Sequence, residues 1–240
     1  MRCAACYALL DWRDEREVPF CPSCEKKWLS ETLEHCGICG KRVTDCSCMP
    51  LAMQKAKCEG LYKLVYYTPK QRDAVQNKLV YHLKNGSSCR AAAFAAAQLL
   101  AKAHAVLHAQ GIEASDTLLT YLPRSSRARL RTGTDQARAL ARALSGASGI
   151  PVEALIKRRL FANRTQKNLS PAARKKNAKR AYVVQKRADC RGKTVLLVDD
   201  LVTTGEGMAH AARLLRKMGA VRVICLCIAT DVVNKDLGAV

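Results

Sequence analysis

The chain has 240 residues, of which 49% are hydrophobic, and its formal net charge is +21. A sequence this apolar is not a disordered polycation, and its apolar runs are far shorter than the ~20 residues that a membrane-spanning helix needs. The first residues lack the charged and then apolar pattern of a secretion signal, so we expect a cytoplasmic protein. The excess of Lys and Arg predicts phosphate-bearing partners and strongly salt-dependent binding.

Closely spaced cysteine pairs dominate the first 57 residues. A gap of two residues separates the members of three pairs and a gap of one residue those of the fourth: Cys3 and Cys6, Cys21 and Cys24, Cys36 and Cys39, Cys46 and Cys48. Two such pairs can surround one ion at Zn–S distances of roughly 2.3 Å, and four thiolates leave no place for a reactive water. The simplest pairing predicts two structural zinc sites, the first from the first four cysteines and the second from the last four.

Two alternatives to metal binding stay open for these cysteines, namely free thiols and disulfides. The short gap between Cys46 and Cys48 also allows the second site to be strained, labile or empty. Cys225 and Cys227 alternate within an apolar run, where packing in the core is expected. We therefore predict a zinc-ribbon module over residues 1–57, with one or two four-cysteine sites, and a second domain over residues 58–240.

Two helices are predicted at the start of the second domain. Val75, Leu79 and Leu83 recur at helical spacing before the stop signal Asn85-Gly86. An alanine-rich helix follows and ends at Gly111. It carries His104 and His108 one turn apart, but no acidic partner lies nearby in the sequence, so we expect surface or core residues rather than metal ligands.

Beyond these helices, strands alternate with helices. A short strand ends near Pro123, a helix begins from Asp135, and the strand "TVLLVDD" starts at Thr194. A helix from about Met208 to Met218 and the strand "VRVICLCIAT" complete the pattern. Such alternation predicts a parallel sheet flanked by helices, with ligands at the carboxyl ends of its strands.

Positive charge is concentrated in residues 151–190, which hold twelve Lys or Arg and two acids. A solvated helix face explains part of such a run. The densest stretch, "RKKNAKR" at residues 174–180, is a candidate surface for single-stranded DNA. Phe, Trp and Tyr make up only 5% of the chain, so platforms for base stacking should be scarce and DNA binding mostly electrostatic.

Two adjacent acids, Asp199 and Asp200, end the apolar part of the strand that starts at Thr194, and a small polar loop leads into the next helix. Free N–H groups at a helix amino terminus bind anions, and glycines let the backbone approach a ligand closely. Two carboxylates would repel a bare phosphate. They suit a ligand that offers sugar hydroxyls or a magnesium ion beside its phosphate, and the pattern therefore predicts a site for a phosphorylated ribose.

The stretch "VLLVDDLVTTGEGM" resembles the phosphoribosyl pyrophosphate (PRPP) motif of type I phosphoribosyltransferases. Together with the cysteine pairs, "YLPRSSRARLRTGTDQARALARAL" and "RTQKNLSPAARKKNAKRAYVV", it is similar in order to the ComF family of competence-related proteins over essentially the whole chain. The resemblance implies an α/β fold, with a type I phosphoribosyltransferase-like parallel sheet flanked by helices and a small amino-terminal zinc-ribbon module built on four-cysteine sites. It also implies that Asp199 and Asp200 hold the ribose hydroxyls and that the following residues hold the ligand's 5′-phosphate: Val202, Thr203, Thr204, Gly205, Glu206 and Gly207.

The chain departs from the family pattern at several positions. Gly207 stands where the family usually has a hydroxyl residue, and Glu206 adds a negative charge beside the phosphate. Residues 132–136 read "TGTDQ" and lack the family's arginine and aromatic residue. Thr203 stands where salvage enzymes for hypoxanthine have an acid, so ordinary purine salvage is not expected.

For an active enzyme, the resemblance implies displacement of pyrophosphate from the anomeric carbon of PRPP, with Mg²⁺ and basic side chains on the leaving group. Asp199, Asp200 and Arg124 are the candidate catalytic residues, and Arg124 with Ser125 is the candidate pyrophosphate loop. The candidate lid is the basic segment that carries Gln166, Arg174, Lys175 and Asn177. No residue identifies the nucleophile.

Two functions follow from these patterns. The first is a ComF-like competence protein that assists the uptake of transforming single-stranded DNA and carries a site for PRPP or a nucleotide. Its partners would be the phosphoribosyl ligand, single-stranded DNA and other DNA-uptake proteins. The alternative is an active phosphoribosyltransferase of nucleotide metabolism with no direct role in DNA handling.

Overall fold

The computed structural model describes residues 2–11, 18–68, 71–85, 89–125, 129–130, 133–159, 181–231 and 237–238. The helices in these ranges are α1 (Pro22–Thr32), α2 (Leu51–Gln54), α3 (Val75–Asn85), α4 (Cys89–Ala109), α5 (Gln136–Ser148) and α6 (Glu206–Lys217). The strands are β1 (Met49–Pro50), β2 (Leu61–Tyr67), β3 (Thr117–Tyr121), β4 (Ile156–Arg158), β5 (Tyr182–Val184), β6 (Thr194–Val202), β7 (Arg222–Asp231) and β8 (Leu237–Gly238). None of the helices in the described ranges combines the length and the apolar character that a membrane crossing requires.

Four parallel strands form the central sheet in the order β2-β7-β6-β3. One face of the sheet is covered by α3, α4 and α5, and the other by α6 together with β4 and β5. The predicted parallel sheet with flanking helices is therefore confirmed.

The side chains of β6 explain why its sequence is continuously apolar. Val195 and Leu197 point to the α6 side of the sheet, whereas Leu196 and Val198 point to the α3–α5 side. A central parallel strand is buried on both faces, which removes the alternation seen in half-exposed strands. The strand runs two residues beyond "TVLLVDD", so Asp200 is followed by Leu201 and Val202 within the ladder with β7.

The other predicted elements differ from the structure mainly at their ends. α5 begins directly after Asp135, and α6 begins at Glu206, two residues before the predicted start. Cys225 and Cys227 are fully buried in β7, as expected, and His104 and His108 lie on the exposed side of α4. The sequence pattern does not predict the antiparallel pair β4–β5, which brackets the basic stretch in the chain.

The cysteine-rich residues pack against the sheet domain rather than apart from it. The Trp28 and Phe20 rings lie 5.8 and 5.5 Å from the ring of Phe94 in α4. The Trp28 indole N–H also donates to the Gln98 side-chain oxygen at 3.3 Å. Cys3, Cys24 and the Trp28 side chain thus belong to the same hydrophobic core as α3 and α4.

Candidate functional site

The two acids lie at the carboxyl edge of the sheet, on β6. Asp199 is paired with Cys227 of β7, and on the other side the Leu122 N–H donates to the Val198 carbonyl at 3.0 Å. The chain that leaves β3 therefore passes beside the acids. The Oδ1 atom of each acid accepts the backbone N–H of the residue that follows it, at 2.9 Å in both cases. These bonds fix the orientation of the two carboxylates.

Asp135 joins the loop after β3 to the start of α5. Its Oδ2 accepts the Arg124 backbone N–H at 3.2 Å, and its Oδ1 accepts the Arg138 N–H at 3.4 Å as the helix cap. Burial raises the pKa of Asp135, and the two N–H donors oppose that shift. The candidate catalytic residue Arg124 is thus placed at the same edge of the sheet by its own main chain.

Residues 203–207, the glycine loop, connect β6 to α6. Thr203 and Thr204 are exposed, and Gly205 occupies the cap position with φ +69°. A glycine has no side chain that could accept the N–H groups of the first helical turn, so those donors can meet a ligand. Glu206 places a carboxyl group in that turn. The loop and the two acids are therefore neighbours along one edge, as the sequence predicts.

The segment that follows the second cysteine quartet packs closely against Gly205. A Cβ atom at this position would lie 2.9 Å from Cγ and Sδ of Met53 and 3.0 Å from Cβ of Pro50. Met53 is fully buried, and the Arg213 guanidinium in α6 donates to the Ala52 carbonyl at 3.3 Å. The position of the glycine loop thus depends on residues of β1 and α2.

Tyr182 and Arg158 are residues of the site that the sequence reasoning misses. A Cβ atom at position 207 would lie 3.1 Å from Cδ2 of Leu122 and 3.7 Å from Cε2 of Tyr182, so Gly207 lets α6 approach both. Desolvation raises the pKa of Tyr182 to about 12; Arg158 opposes this shift, and the carboxylates of Asp199, Asp135 and Asp200 add to it. The Arg158 guanidinium carbon lies 5.5 Å from the Tyr182 ring centre.

The eight predicted metal ligands form two quartets in the structure. Within each quartet the four Sγ atoms all lie within 4.8 Å of one another. The members are Cys3, Cys6, Cys21 and Cys24 in the first quartet and Cys36, Cys39, Cys46 and Cys48 in the second. All eight are free cysteines, which excludes the disulfide alternative in this structure. The donor set fits a closed four-thiolate site, and the one-residue gap between Cys46 and Cys48 does not prevent the second quartet from forming.

A buried lysine of β2 touches the second quartet. Lys63 is 0% exposed, and its ammonium group donates to Cys46 Sγ at 3.1 Å and to the Cys48 carbonyl at 2.9 Å. The Cys46 and Leu61 carbonyls accept from the same group, both at 3.3 Å. A buried cation needs such partners, and four thiolates around a divalent ion carry surplus negative charge. The hydrogen bonds of Lys63 therefore tie this quartet to the sheet, and its positive charge would offset the surplus negative charge when an ion is bound there.

Comparison with known proteins agrees with this architecture. A family model described as "Phosphoribosyl transferase domain" matches residues 130–236. The DNA utilization protein YhgH of Salmonella typhimurium is 33% identical over 151 residues, which are 62% of this chain and 65% of that protein. The chain is thus similar to a phosphoribosyl transferase domain and to a DNA utilization protein, and both matches support its resemblance to the ComF family. It spans about 65% of the length of this relative.

Two other known proteins are similar to the chain, one over a short stretch and one at lower identity. A ribose-phosphate pyrophosphokinase of Thermococcus kodakarensis is 54% identical to this chain over 35 residues, which are 15% of the chain and 12% of that protein. The solved glutamine PRPP amidotransferase of B. subtilis is 20% identical and covers 68% of the chain, with 29% of its own length covered and a TM-score of 0.37.

The structure describes most, but not all, of the predicted site residues. The described ones are Asp199, Asp200, the glycine loop, Arg124 and both cysteine quartets, and their roles stay predictions. The candidate lid, with Gln166, Arg174, Lys175 and Asn177, lies outside the described residues.

We expect Gly205→Ala to displace the glycine loop. The new methyl group would clash with Met53 and Pro50, and the left-handed backbone strains any residue with a Cβ by an amount on the order of 1–3 kcal/mol. The free energy of unfolding, measured by urea denaturation, should fall by at least ~1 kcal/mol.

Gly146→Ala is the matched control, because that glycine lies on the exposed side of α5 with open space around its Cβ direction. This change should stabilise the chain by roughly 0.5–1 kcal/mol. Equal effects of the two substitutions would contradict the tight packing under Gly205.

Proposed function

We propose that this chain is a ComF-like protein that binds PRPP or a related phosphoribosyl ligand with Mg²⁺ at the carboxyl edge of its sheet, and that it assists the internalisation of transforming single-stranded DNA in the cytoplasm. The observation that carries the ligand assignment is the pair Asp199 and Asp200 beside the glycine loop and the amino terminus of α6. Carboxylates and free N–H groups side by side match a ligand that presents hydroxyls and a phosphate together.

Each residue of the site has a defined part in this proposal. Asp199 and Asp200 accept hydrogen bonds from the two ribose hydroxyls, since ionised carboxylates are acceptors only. The N–H groups of the glycine loop and the hydroxyls of Thr203 and Thr204 donate to the 5′-phosphate. Arg124 lies on the side of the acids where β3 ends, and there its side chain can meet the pyrophosphate. Mg²⁺ would neutralise that pyrophosphate when it is bound.

The DNA role has separate support. The Salmonella relative is named a DNA utilization protein, and the net charge of +21 favours a polyanionic partner. The basic stretch at 174–180 is the candidate contact in the sequence, and other DNA-uptake proteins are candidate partners. Such a protein would bring a sugar-phosphate site and a polyanion surface together in one chain.

An active phosphoribosyltransferase of nucleotide metabolism is the second candidate, and the same residues at the carboxyl edge of the sheet support it. The acids, Arg124 and the glycine loop would support displacement of pyrophosphate at the anomeric carbon equally well. Release of pyrophosphate from PRPP in the presence of candidate amines or bases distinguishes the two: turnover with no DNA affinity favours the enzyme, and DNA affinity without turnover favours the competence protein.

The double variant Asp199→Asn/Asp200→Asn tests the ligand assignment. It keeps side-chain size but removes charge-assisted hydrogen bonds worth roughly 1.5–3 kcal/mol each, so calorimetry should show PRPP affinity with Mg²⁺ reduced by about tenfold or more. Asp116→Asn is the matched control because it removes an acid just before β3, at the amino edge of the sheet. PRPP binding by the double variant at wild-type affinity would show that the acids do not hold the ribose.

Metal analysis tests the cysteine quartets. Protein purified without chelator should contain about two zinc ions per chain, and Cys3→Ser or Cys46→Ser should each remove one, because a structural site requires all four thiolates. Cys46→Ser should also weaken PRPP binding more than Cys3→Ser, since the segment after Cys48 supports Gly205. Cys190→Ser changes a cysteine outside both quartets and should retain two ions. A zinc-free wild type would end this interpretation.

Salt titration tests the basic stretch. Neutralising Lys175, Lys176, Lys179 and Arg180 to Gln should weaken binding to single-stranded DNA, and the slope of log affinity against log salt should become shallower by about 0.7 for each lost phosphate contact. Neutralising Lys55, Lys57, Arg191 and Lys217, which are exposed elsewhere, removes the same charge as a control. Equal slopes for the two variants would place the DNA contact away from residues 174–180.

A further inference from the structure

Two tyrosines, Tyr7 and Tyr81, are the exposed large aromatic side chains in the part of the chain that the structure describes. Tyr7 is 53% exposed and Tyr81 is 38% exposed. Tyr7 lies in the first cysteine knuckle and Tyr81 in α3, so they are far apart in sequence. The structure nevertheless brings both of them to the exposed side of α3.

Each tyrosine ring is held by a second ring. The Tyr7 ring lies 6.0 Å from the His82 ring, and the Tyr7 N–H donates to the Cys3 carbonyl at 3.1 Å. The Tyr81 hydroxyl is 2.8 Å from the hydroxyl of Tyr67, the last residue of β2, with ring centres 6.4 Å apart. Rings fixed in this way lose little conformational entropy when a ligand binds to them.

The spacing along α3 places a cation between the two ring pairs. Lys78 precedes Tyr81 by three residues and His82 by four, so its side chain shares the exposed face of the helix with both. The opposite face carries the buried Val75, Leu79, Val80 and Leu83. The Lys78 ammonium pairs at 3.1 Å with Asp73, whose side chain is 98% exposed, and such surface pairs are worth little. A phosphate can therefore replace Asp73 at low cost.

More positive charge flanks the rings at both ends. Arg2 is exposed and donates to the Tyr7 carbonyl at 3.1 Å, and the exposed Arg72 lies close enough to Tyr67 to oppose the rise of its pKa. The His82 ring next to Tyr7 adds a further flat surface on which a base can stack, and desolvation lowers the pKa of this histidine. Cations beside fixed aromatic rings match unpaired nucleotides, whose bases stack while their phosphates pair with the cations.

We propose that Tyr7, Lys78, Tyr81 and His82 form a stacking platform for single-stranded DNA, here called the α3 platform. The inference rests on the proposed role in DNA uptake and adds where and how the strand binds. It also changes the expectation drawn from composition. Aromatic residues are few, but those exposed within the described ranges lie at one place, so binding has a stacking part besides the electrostatic one.

Tyr81→Ala and Tyr7→Ala test the platform with a fluorescent oligo-dT in an anisotropy titration at several salt concentrations. Loss of one stacked base costs roughly 1–3 kcal/mol, so each variant should bind about 5- to 100-fold more weakly. The salt slope should stay at the wild-type value because no charge is removed. Lys78→Gln should instead make the slope shallower by about 0.7.

Two controls separate stacking from folding. Tyr7→Phe and Tyr81→Phe keep the rings and should retain most of the affinity. An abasic oligonucleotide of the same length offers phosphates without bases, so the wild type and Tyr81→Ala should bind it equally. The alanine variants should match the wild type in zinc content and in thermal unfolding. Tyr81→Ala is the safer of the two, because Tyr81 lies on an exposed helix face.

These measurements separate a failure of the α3 platform from a failure of the proposed DNA role. A wild type that does not bind oligo-dT would refute the DNA role and the platform together. A wild type that binds, with both alanine variants binding equally well, would overturn the platform alone and leave the basic stretch as the DNA contact. A defect that persists on the abasic oligonucleotide would also overturn it, because the lost contact would then not involve bases.

Discussion

The parallel pairing of β6 between β3 and β7 is the constraint on which the candidate site depends. Because β6 is buried on both faces, its register is fixed, and this register brings Asp199, the end of β3 and the start of α6 to one edge of the sheet. The Thr230 hydroxyl, which donates to the Val202 carbonyl at 3.0 Å, secures the last residue before the glycine loop. Acids, main-chain donors and Arg124 thus converge without any strained arrangement of the acids themselves.

The cysteine-rich segment contributes to this site, although it is distant from it in sequence. Lys63 joins the second quartet to β2, and the chain that leaves Cys48 continues into β1 and α2, where Met53 and Pro50 support Gly205. Binding of an ion at the second quartet would therefore stabilise the residues of β1 and α2 that support the glycine loop. The second quartet and the glycine loop are thus connected through one short stretch of chain.

Local patterns predicted those features that depend on neighbours in sequence. The apolar run of β6 with its two acids, the Asp135 helix start and the paired cysteines all follow from spacing within a few residues. Tyr182, Arg158 and Lys63 could not be predicted in this way, because their roles come from contacts across the fold. From the sequence, Lys63 would be expected to point to solvent as a polar residue of a half-exposed strand. In the folded chain Cys46 packs against β2 and covers its ammonium group. The α3 platform could not be predicted from the sequence for the same reason, because Tyr7 and His82 come into contact only in the folded chain.

A crystal structure of the protein grown with PRPP and Mg²⁺ would show directly whether the acids hold the ribose. We expect the ribose hydroxyls within hydrogen-bond distance of the Asp199 and Asp200 carboxylates and the 5′-phosphate at the N–H groups of the glycine loop. A ligand bound at another surface, or one that reaches this edge with its phosphate away from the loop, would contradict it.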